Sequence, residues 1–477
     1  MRHLKFTFVS TVVFICMLTT QSFVFSQTEL KNKIVDFSTL LPLENASIYV
    51  KNTTIGTVSN SDGKFVLLVP ESFKKDTLII SSIGYTTFKT TIEEFDSSMD
   101  IFLDPEIAAL DEVLLVAEKR PETGNEIVLK ALKELPDNLP NTPYLQKGFL
   151  RHKERNRNEF KWLIESAITV YDDSTYINGT TDNLRINVDE VRKSYDLRDV
   201  DSILSYYSYL KNNAKGVKLT TKKLRRDTIL TSSLINAIKW NDTRVNGLQN
   251  LFAGKLNLLR NSKLSKALFG EDILNKHQFD LDTILVDNER KLYKIKISGS
   301  EDMVGLDTEG IYNEGYQARG WIYIYWDNFA VKKIEYELVA ASNAQKIRSK
   351  TLFGTDVNHK LVISYLEFEG KMYPNYVYYE TPKLVNAGKP EDDDIKDKTK
   401  IDYGERYYNT VQEILFSEII LDEELINASL NKTWDPDIFS PKPYNNAFWK
   451  NYNVILESEE DEKLIKDLTR KARLFKQ

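Results

Sequence analysis

Three stretches between Phe279 and Thr381 constrain this chain more than anything else in it: FDLDTILVDNERKLYKIKISG, GWIYIYWDNFAVKKIEYEL and KLVISYLEFEGKMYPNYVYYET. Each reads as two long β-prone arms around a short polar turn, at Asp287-Asn288, Asp327-Asn328 and Glu369-Gly370. Successive hairpins of this length demand one large antiparallel sheet. Strand alternation puts Trp321, Tyr323 and Tyr325 on one face of GWIYIYW and Ile322, Ile324 and Trp326 on the other. In PNYVYYE, Tyr376 and Tyr378 share one face, and Val377 and Tyr379 the other. A strand apolar on both faces must be covered on both.

The segment from Gln27 to Asp104 has a different texture. Seven short strands separated by turn residues are expected there, as in a small sandwich, with Ile48, Val50, Phe65, Leu67, Ile79 and Ile80 in its core. Within it, SNSDGKF poses a choice between a calcium loop and a tight turn. With Gly63 at the sixth position, the first and twelfth ligand positions would be Val58 and Val69, which cannot ligate calcium. A hairpin turn on Asp62-Gly63, needing positive φ, is the reading that remains.

Residues 105–143 read as a linker plus a helix. NEIVLKALKEL places Ile127, Val128, Ala131, Leu132 and Leu135 at helical spacing, and Pro136 and Pro140 should end it. Residues 144–402 are expected to form an α+β body. It opens on a hairpin in KGFLRHKERNRNEFKWLIESAITVYD and carries helices between about Asp199 and Lys276, clearest in SILSYYSYLKN and KLNLLRNSKLSKALFG. Residues 403–477 read as a C-terminal extension ending in a helix, with acids at its start and bases at its end, as the helix dipole favours. The fold class is therefore mostly β with an α+β body. It comprises a seven-stranded sandwich, then a curved antiparallel sheet, or half-barrel, with helices.

The first 26 residues have the form of an export signal: basic Arg2 and Lys5, an apolar run from Phe6 to Leu18, and small Ser26 before Gln27. The formal charge of −6 becomes −8 once Arg2 and Lys5 leave, which argues against nucleic acid or anionic lipid as a partner. Cys16 is the one cysteine and lies inside the signal, so disulfides, thiolate metal sites and cysteine nucleophiles are excluded from the exported form. Roughly 450 residues exceed one compact core, and two or three domains are expected.

Local patterns for catalysis are missing. None of His3, His152, His277 and His359 has a glutamate three residues on, so each of the last three reads as a surface or satisfied structural residue. The serine-hydrolase elbow, the phosphate loop and the dinucleotide fingerprint do not occur. The densest acidic cluster, PEDDDIKDKTK from Pro390 to Lys400, reads as a solvated loop. No cofactor or metal is expected. A glycosidase-like carboxylate pair leaves no local motif, however, so a hydrolase acting on envelope or imported polymers stays open as the alternative.

PLENASIYV, GTVSNSDGKFVL and LIISSIGY resemble the carboxypeptidase-like regulatory domain, a transthyretin-like sandwich found at the front of many exported and outer-membrane proteins. The resemblance implies no peptidase activity. ALDEVLLVAEKRPETG, Ala109 to Gly124, resembles the segment that follows this sandwich in TonB-dependent transporters, although no long series of transmembrane strands follows here. The hairpin series from Tyr144 to Asp402 resembles the half-barrel of outer-membrane lipoprotein carriers. That resemblance implies a groove in which Trp321, Tyr323, Tyr325, Tyr376 and Tyr378 line an acyl or peptide ligand; the plain alternative is that the helices between Asp199 and Lys276 fill the face. Triplets at Thr77, Ser202, Thr228 and Thr283 resemble acceptor sites of a periplasmic O-glycosylation system. Together these imply a non-enzymatic protein, periplasmic or at the periplasmic face of the outer membrane, that binds an envelope protein or an apolar ligand.

Overall fold

The structure, a computed structural model, describes residues 27–106, 120–155, 160–174, 184–195, 229–241, 277–300, 316–353, 358–386 and 405–471, together with Tyr206, Tyr209, Leu210, Asn212, Asn213 and Leu259. The signal, the LDEV segment, the acidic loop, Ser202, Thr228 and most of the helical stretch between Asp199 and Lys276 lie outside the described residues. Among the described residues no helix is long and apolar enough to cross a membrane.

Seven strands build the N-terminal sandwich: β1 (Gln27–Asp36), β2 (Ser47–Val50), β3 (Gly56–Val58), β4 (Lys64–Pro70), β5 (Thr77–Ser81), β6 (Phe88–Thr91) and β7 (Ile101–Leu103). They form one sheet in the order β4-β1-β7 and another in the order β3-β2-β5-β6. Ile48, Val50, Phe65, Leu67 and Ile80 share the buried core between them. Ile79 is buried too, but outside that core: alternation sends it to the other side of β5, opposite Tyr49.

The body is a single antiparallel sheet of ten strands: β8 (Tyr144–Arg155), β9 (Phe160–Asp172), β10 (Leu184–Tyr195), β11 (His277–Asp287), β12 (Arg290–Ser300), β13 (Tyr316–Tyr325), β14 (Val331–Ala340), β15 (His359–Phe368), β16 (Lys371–Asn386) and β17 (Glu405–Ile420). Their order is β10-β9-β8-β17-β16-β15-β14-β13-β12-β11. The expected hairpins are present, although the first turns on Asn288 and Glu289, both at positive φ, with Asp287 and Arg290 paired. β17 lies in the middle of the sheet, so the body takes in chain that the sequence places in a C-terminal extension.

One row of side chains shows why the strands keep this register. Ile295, Ile322, Ile334, Ile363, Val377, Ile414 and Leu150 are successive cross-strand partners from β12 across to β8, and none is more than 1% exposed. A slip of one residue would turn any strand's members of this row to the opposite face. Helix α1 (Gly124–Asn138) and helix α2 (Thr231–Asn241) contribute Ile127, Val128, Ala131, Leu135, Leu234 and Ile238 to the same core, which marks this as the helical face. Thr123 caps α1 in a reciprocal box with Glu126. The helix runs on past Pro136, losing the bond that residue's N–H would have made to the Leu132 carbonyl, and Leu139 N–H closes on the Leu135 carbonyl.

The opposite face carries the sandwich and the C-terminal chain, whose elements beyond α3 (Asn343–Phe353) are α4 (Glu423–Leu430), α5 (Asn446–Trp449) and α6 (Glu459–Lys471). Val58 of the sandwich packs with Phe149, Tyr376, Leu415, Trp449 and Ile455. Beside this apolar patch, Glu413, Arg151, Glu165 and Arg192 are successive cross-strand partners on β17, β8, β9 and β10. Arg151, 1% exposed, reaches Glu165 at 2.8 Å, Glu457 at 2.9 Å and the Ile455 carbonyl at 2.6 Å. Lys153 adds Asp461 at 3.0 Å and Glu413 at 3.2 Å.

The SNSDGKF turn belongs to this junction. Gly63 has the positive φ expected, 74°, but the turn is not the expected hairpin. β3 and β4, which it joins, belong to different sheets and pair with β2 and β1, so it carries the chain from one sheet to the other, and the neighbouring side chains grip the start of α6. The Asp62 carboxylate accepts the Glu459 N–H at 2.7 Å, Lys64 pairs with the Glu459 carboxylate at 2.8 Å, and Asn60 donates to the Glu457 carbonyl at 3.0 Å. The turn therefore serves as a docking element.

Gly63→Val should destabilise the protein by about 2–3 kcal/mol in denaturant unfolding, since the new Cβ would meet the Ile34 carbonyl oxygen at 2.4 Å and oppose the positive φ.

Arg151→Met should cost about 3–5 kcal/mol by breaking a buried charge network and leaving Glu165 with Arg192 as its remaining cation. Burial raises the pKa of Glu165 and of Asp461, but the cations facing them outweigh burial and hold both carboxyls below their ordinary values. Their contribution is thus complete above the unfolded carboxyl pKa and fades as pH falls through the lower folded value. The thermal midpoint should hold from neutrality to about pH 5 and drop below about pH 4, with a shallower acid limb in Arg151→Met. Equal acid limbs in the two proteins would remove this assignment.

Candidate ligand-binding face

The aromatic row picked out by alternation does share one face, and that face is the one covered by the sandwich and the C-terminal chain. Tyr376 is 3% exposed and packs among Val58, Trp449 and Ile455, with Tyr378 against the same cluster. The Tyr376 hydroxyl donates to Glu413 at 3.3 Å and Tyr378 to Glu380 at 2.7 Å. Tyr323 donates to Glu335 at 3.3 Å and Tyr325 to Asp287 at 2.9 Å. Burial, followed by these carboxylates, pushes all four phenols above their ordinary pKa. Trp321 has the Lys294 ammonium 3.9 Å over its ring. Val58, Trp449 and Ile455 thus cover Tyr376 and Tyr378, whereas Tyr323 and Tyr325 belong to the large core cluster, against which Trp321 packs half-buried. Thr77 opens β5 and Thr283 lies at a bulge in β11, both half-buried.

The helical face has a polarity gradient that the aromatic pattern did not reveal. Two residues along each strand from the aliphatic row, the partners are Tyr336, Leu361, Tyr379, Gln412, His152 and Ile164. Two residues further come Leu338 opposite His359, then Thr381, Thr410, Glu154 and Trp162. Moving along the strands, the lining thus changes from aliphatic to mixed to largely polar.

These polar groups are buried and joined in pairs. Thr381 Oγ1 lies 2.8 Å from His359 Nδ1, Gln412 Nε2 3.1 Å from His152 Nδ1, and His277 Nε2 3.1 Å from the Tyr336 hydroxyl. Thr410 donates to Glu154 at 3.4 Å. His359 meets Tyr316 edge-on at 5.0 Å between ring centroids, and His152 lies 6.0 Å from the Trp162 ring. All three described histidines are therefore buried members of one face, each hydrogen-bonded through one ring nitrogen. Sequence reading missed their common placement because they come from strands far apart in the chain. The available signal was parity: His152 and Glu154 lie two and four residues from Leu150, in the inward register of their strand.

Chemically, an apolar slab that ends in imidazole, amide and hydroxyl groups suits a molecule with a long apolar body and one polar end. Among the described residues no group of three or more histidine, cysteine, aspartate or glutamate side chains is arranged to hold a metal ion.

No curated protein matches the chain. Two solved structures overlap the chain: a LolA-superfamily protein from Nitrosomonas europaea and an outer membrane lipoprotein-sorting protein domain from Vibrio parahaemolyticus. Each is 9% identical and covers 64% of this chain, with 95% and 97% of their own lengths covered and TM-scores of 0.20 and 0.21. At such identity and TM-score the likeness carries no inference about this chain. Residues 31–115 match the family model of the CarboxypepD_reg-like domain, in agreement with the resemblance carried by the Asp62-Gly63 turn and the strands around it.

Proposed function

We propose that this is a non-enzymatic protein of the cell envelope that holds an amphiphilic ligand on the helical face of its large sheet. The ligand's apolar body lies along the row through Ile363, Val377, Ile414 and Leu150, taking the place of part of the helical cover that buries this row. Its polar end meets Thr381, Gln412 and His152. The observation that supports this reading is the graded lining itself, since a face built only to pack helices gains nothing from burying four polar pairs at one end.

A binding role also suits the carboxylates. Glu165 and Asp461 are pinned by cations that lower their pKa, whereas a hydrolase's general acid needs a raised one. Export to the envelope rests on the signal-like first 26 residues, and the sandwich acts as a docking module fixed to the sheet's other face.

The reading is tested by extracting lipid from protein isolated from its native envelope fraction and by titrating the full chain with a fluorescent fatty acid. A saturable fatty-acid site is expected, weakened about tenfold in Thr381→Val with the fold retained, because one polar contact to the headgroup is lost. If no lipid co-purifies and the fatty acid shows no saturable binding, the reading is wrong.

A further inference from the structure

A cavity of about 310 Å³ lies between the sandwich and the other face of the large sheet. Part of this junction is apolar, as where Val58 packs on Tyr376. At the cavity it is not. Ser47 and Ser81 are cross-strand partners on β2 and β5 and both line the space. Tyr49, two residues from Ser47, has its hydroxyl 3.3 Å from the Asn288 side-chain amide of the body, which marks this parity of β2 as the one facing the cavity. The opposite wall includes Tyr325 and Asn375.

The charged groups in the lining largely neutralise one another. Asp287 accepts the Tyr325 hydroxyl and has the Lys332 ammonium at 3.6 Å. Arg290 lies 3.7 Å over the Tyr325 ring and is clamped at 2.8 Å to Asp327 and at 2.5 Å to Glu367. With Glu369 at the rim, three carboxylates face two cations, a balance that repels anions. Hydroxyl and amide groups on both walls remain as the recognition chemistry. The space sits at the small end of the ~300–1,000 Å³ range of ligand pockets, as suits a ligand of about one sugar residue.

We propose that this cavity binds a single neutral sugar residue between the two modules. The site is separate from the amphiphile face and lies on the other side of the sheet, so either can fail without the other.

Isothermal titration of the full chain with methyl α-D-glucopyranoside and N-acetyl-D-glucosamine, with inorganic phosphate as competitor, provides the test. Saturable one-site binding of at least one sugar is expected, indifferent to phosphate. Ser47→Ala/Ser81→Ala should weaken it about tenfold or more, and Asn375→Ala, on the opposite wall, should do so independently of any effect of the first variant on folding. The proposal is overturned if neither sugar gives saturable heat at tens of millimolar, if both variants bind as the parent does, or if phosphate displaces the sugar.

Discussion

Arg151 is the side chain on which the assembly turns. A guanidinium removed from water must recover its hydration from protein groups, and this one does so with partners from two distant parts of the chain: Glu165 on β9, and Glu457 with the Ile455 carbonyl near the C-terminus. Burial lowers its pKa, but the surrounding carboxylates outweigh burial, so the charge is kept. Such a network contributes less to net stability than its contacts suggest, because desolvation offsets much of the attraction. What it enforces is placement. With Arg151 buried and charged, the segment bearing Ile455 and Glu457 must lie across β8, and α6 must begin where Asp62 and Lys64 of the sandwich can reach it.

This placement divides the sheet into two faces with different roles. The side holding the sandwich and the C-terminal chain is bound by directional contacts: ion pairs, backbone caps and tyrosine hydroxyls on carboxylates. The helical side is held by aliphatic packing in one continuous row, which tolerates a neighbour of another kind more readily than a hydrogen-bonded ladder does. A ligand is thus easier to accommodate on the helical side, while the sandwich side favours a fixed interface with enclosed polar space.

Legibility in the sequence followed the range of the interactions. The hairpins of β11 to β16 and the seven strands of the sandwich depend on alternation and nearby turns, and these could be read directly. The first hairpin turn shifted by one residue because Asn288 and Glu289 both adopt positive φ, which Asp287-Asn288 alone does not signal. β17 was missed as part of the sheet because a bulge between Phe416 and Glu418 breaks its alternation and because its partner β8 lies more than two hundred residues away. The aromatic stripe was real, yet nothing local to PNYVYYE could say that distant Val58 and Trp449 would cover Tyr376 and Tyr378. The polar end of the helical face was hidden for the same reason where its pairs join β8 to β17 and β11 to β14, whereas the His359–Thr381 pair lies within the β15-β16 hairpin and only parity could have pointed to it.

An unclosed sheet of ten strands leaves two edges, and each is met by the chain's own backbone or side chains. At β10, the Val188 N–H donates to the Asp435 carbonyl at 2.8 Å and the Asn187 side chain accepts the Asp435 N–H. At β11, the Asn125 side chain accepts the Phe279 N–H at 3.1 Å, and the Gly84 N–H of the sandwich donates to the Val286 carbonyl at 2.8 Å. Contacts of this kind interrupt the run of exposed donors and acceptors that invites strand addition. Since α1 and the sandwich supply the blocks at β11, their docking guards the edge as well as covering the faces. Recognition by the large sheet is thereby directed to its faces, where side-chain chemistry rather than backbone pairing selects what binds.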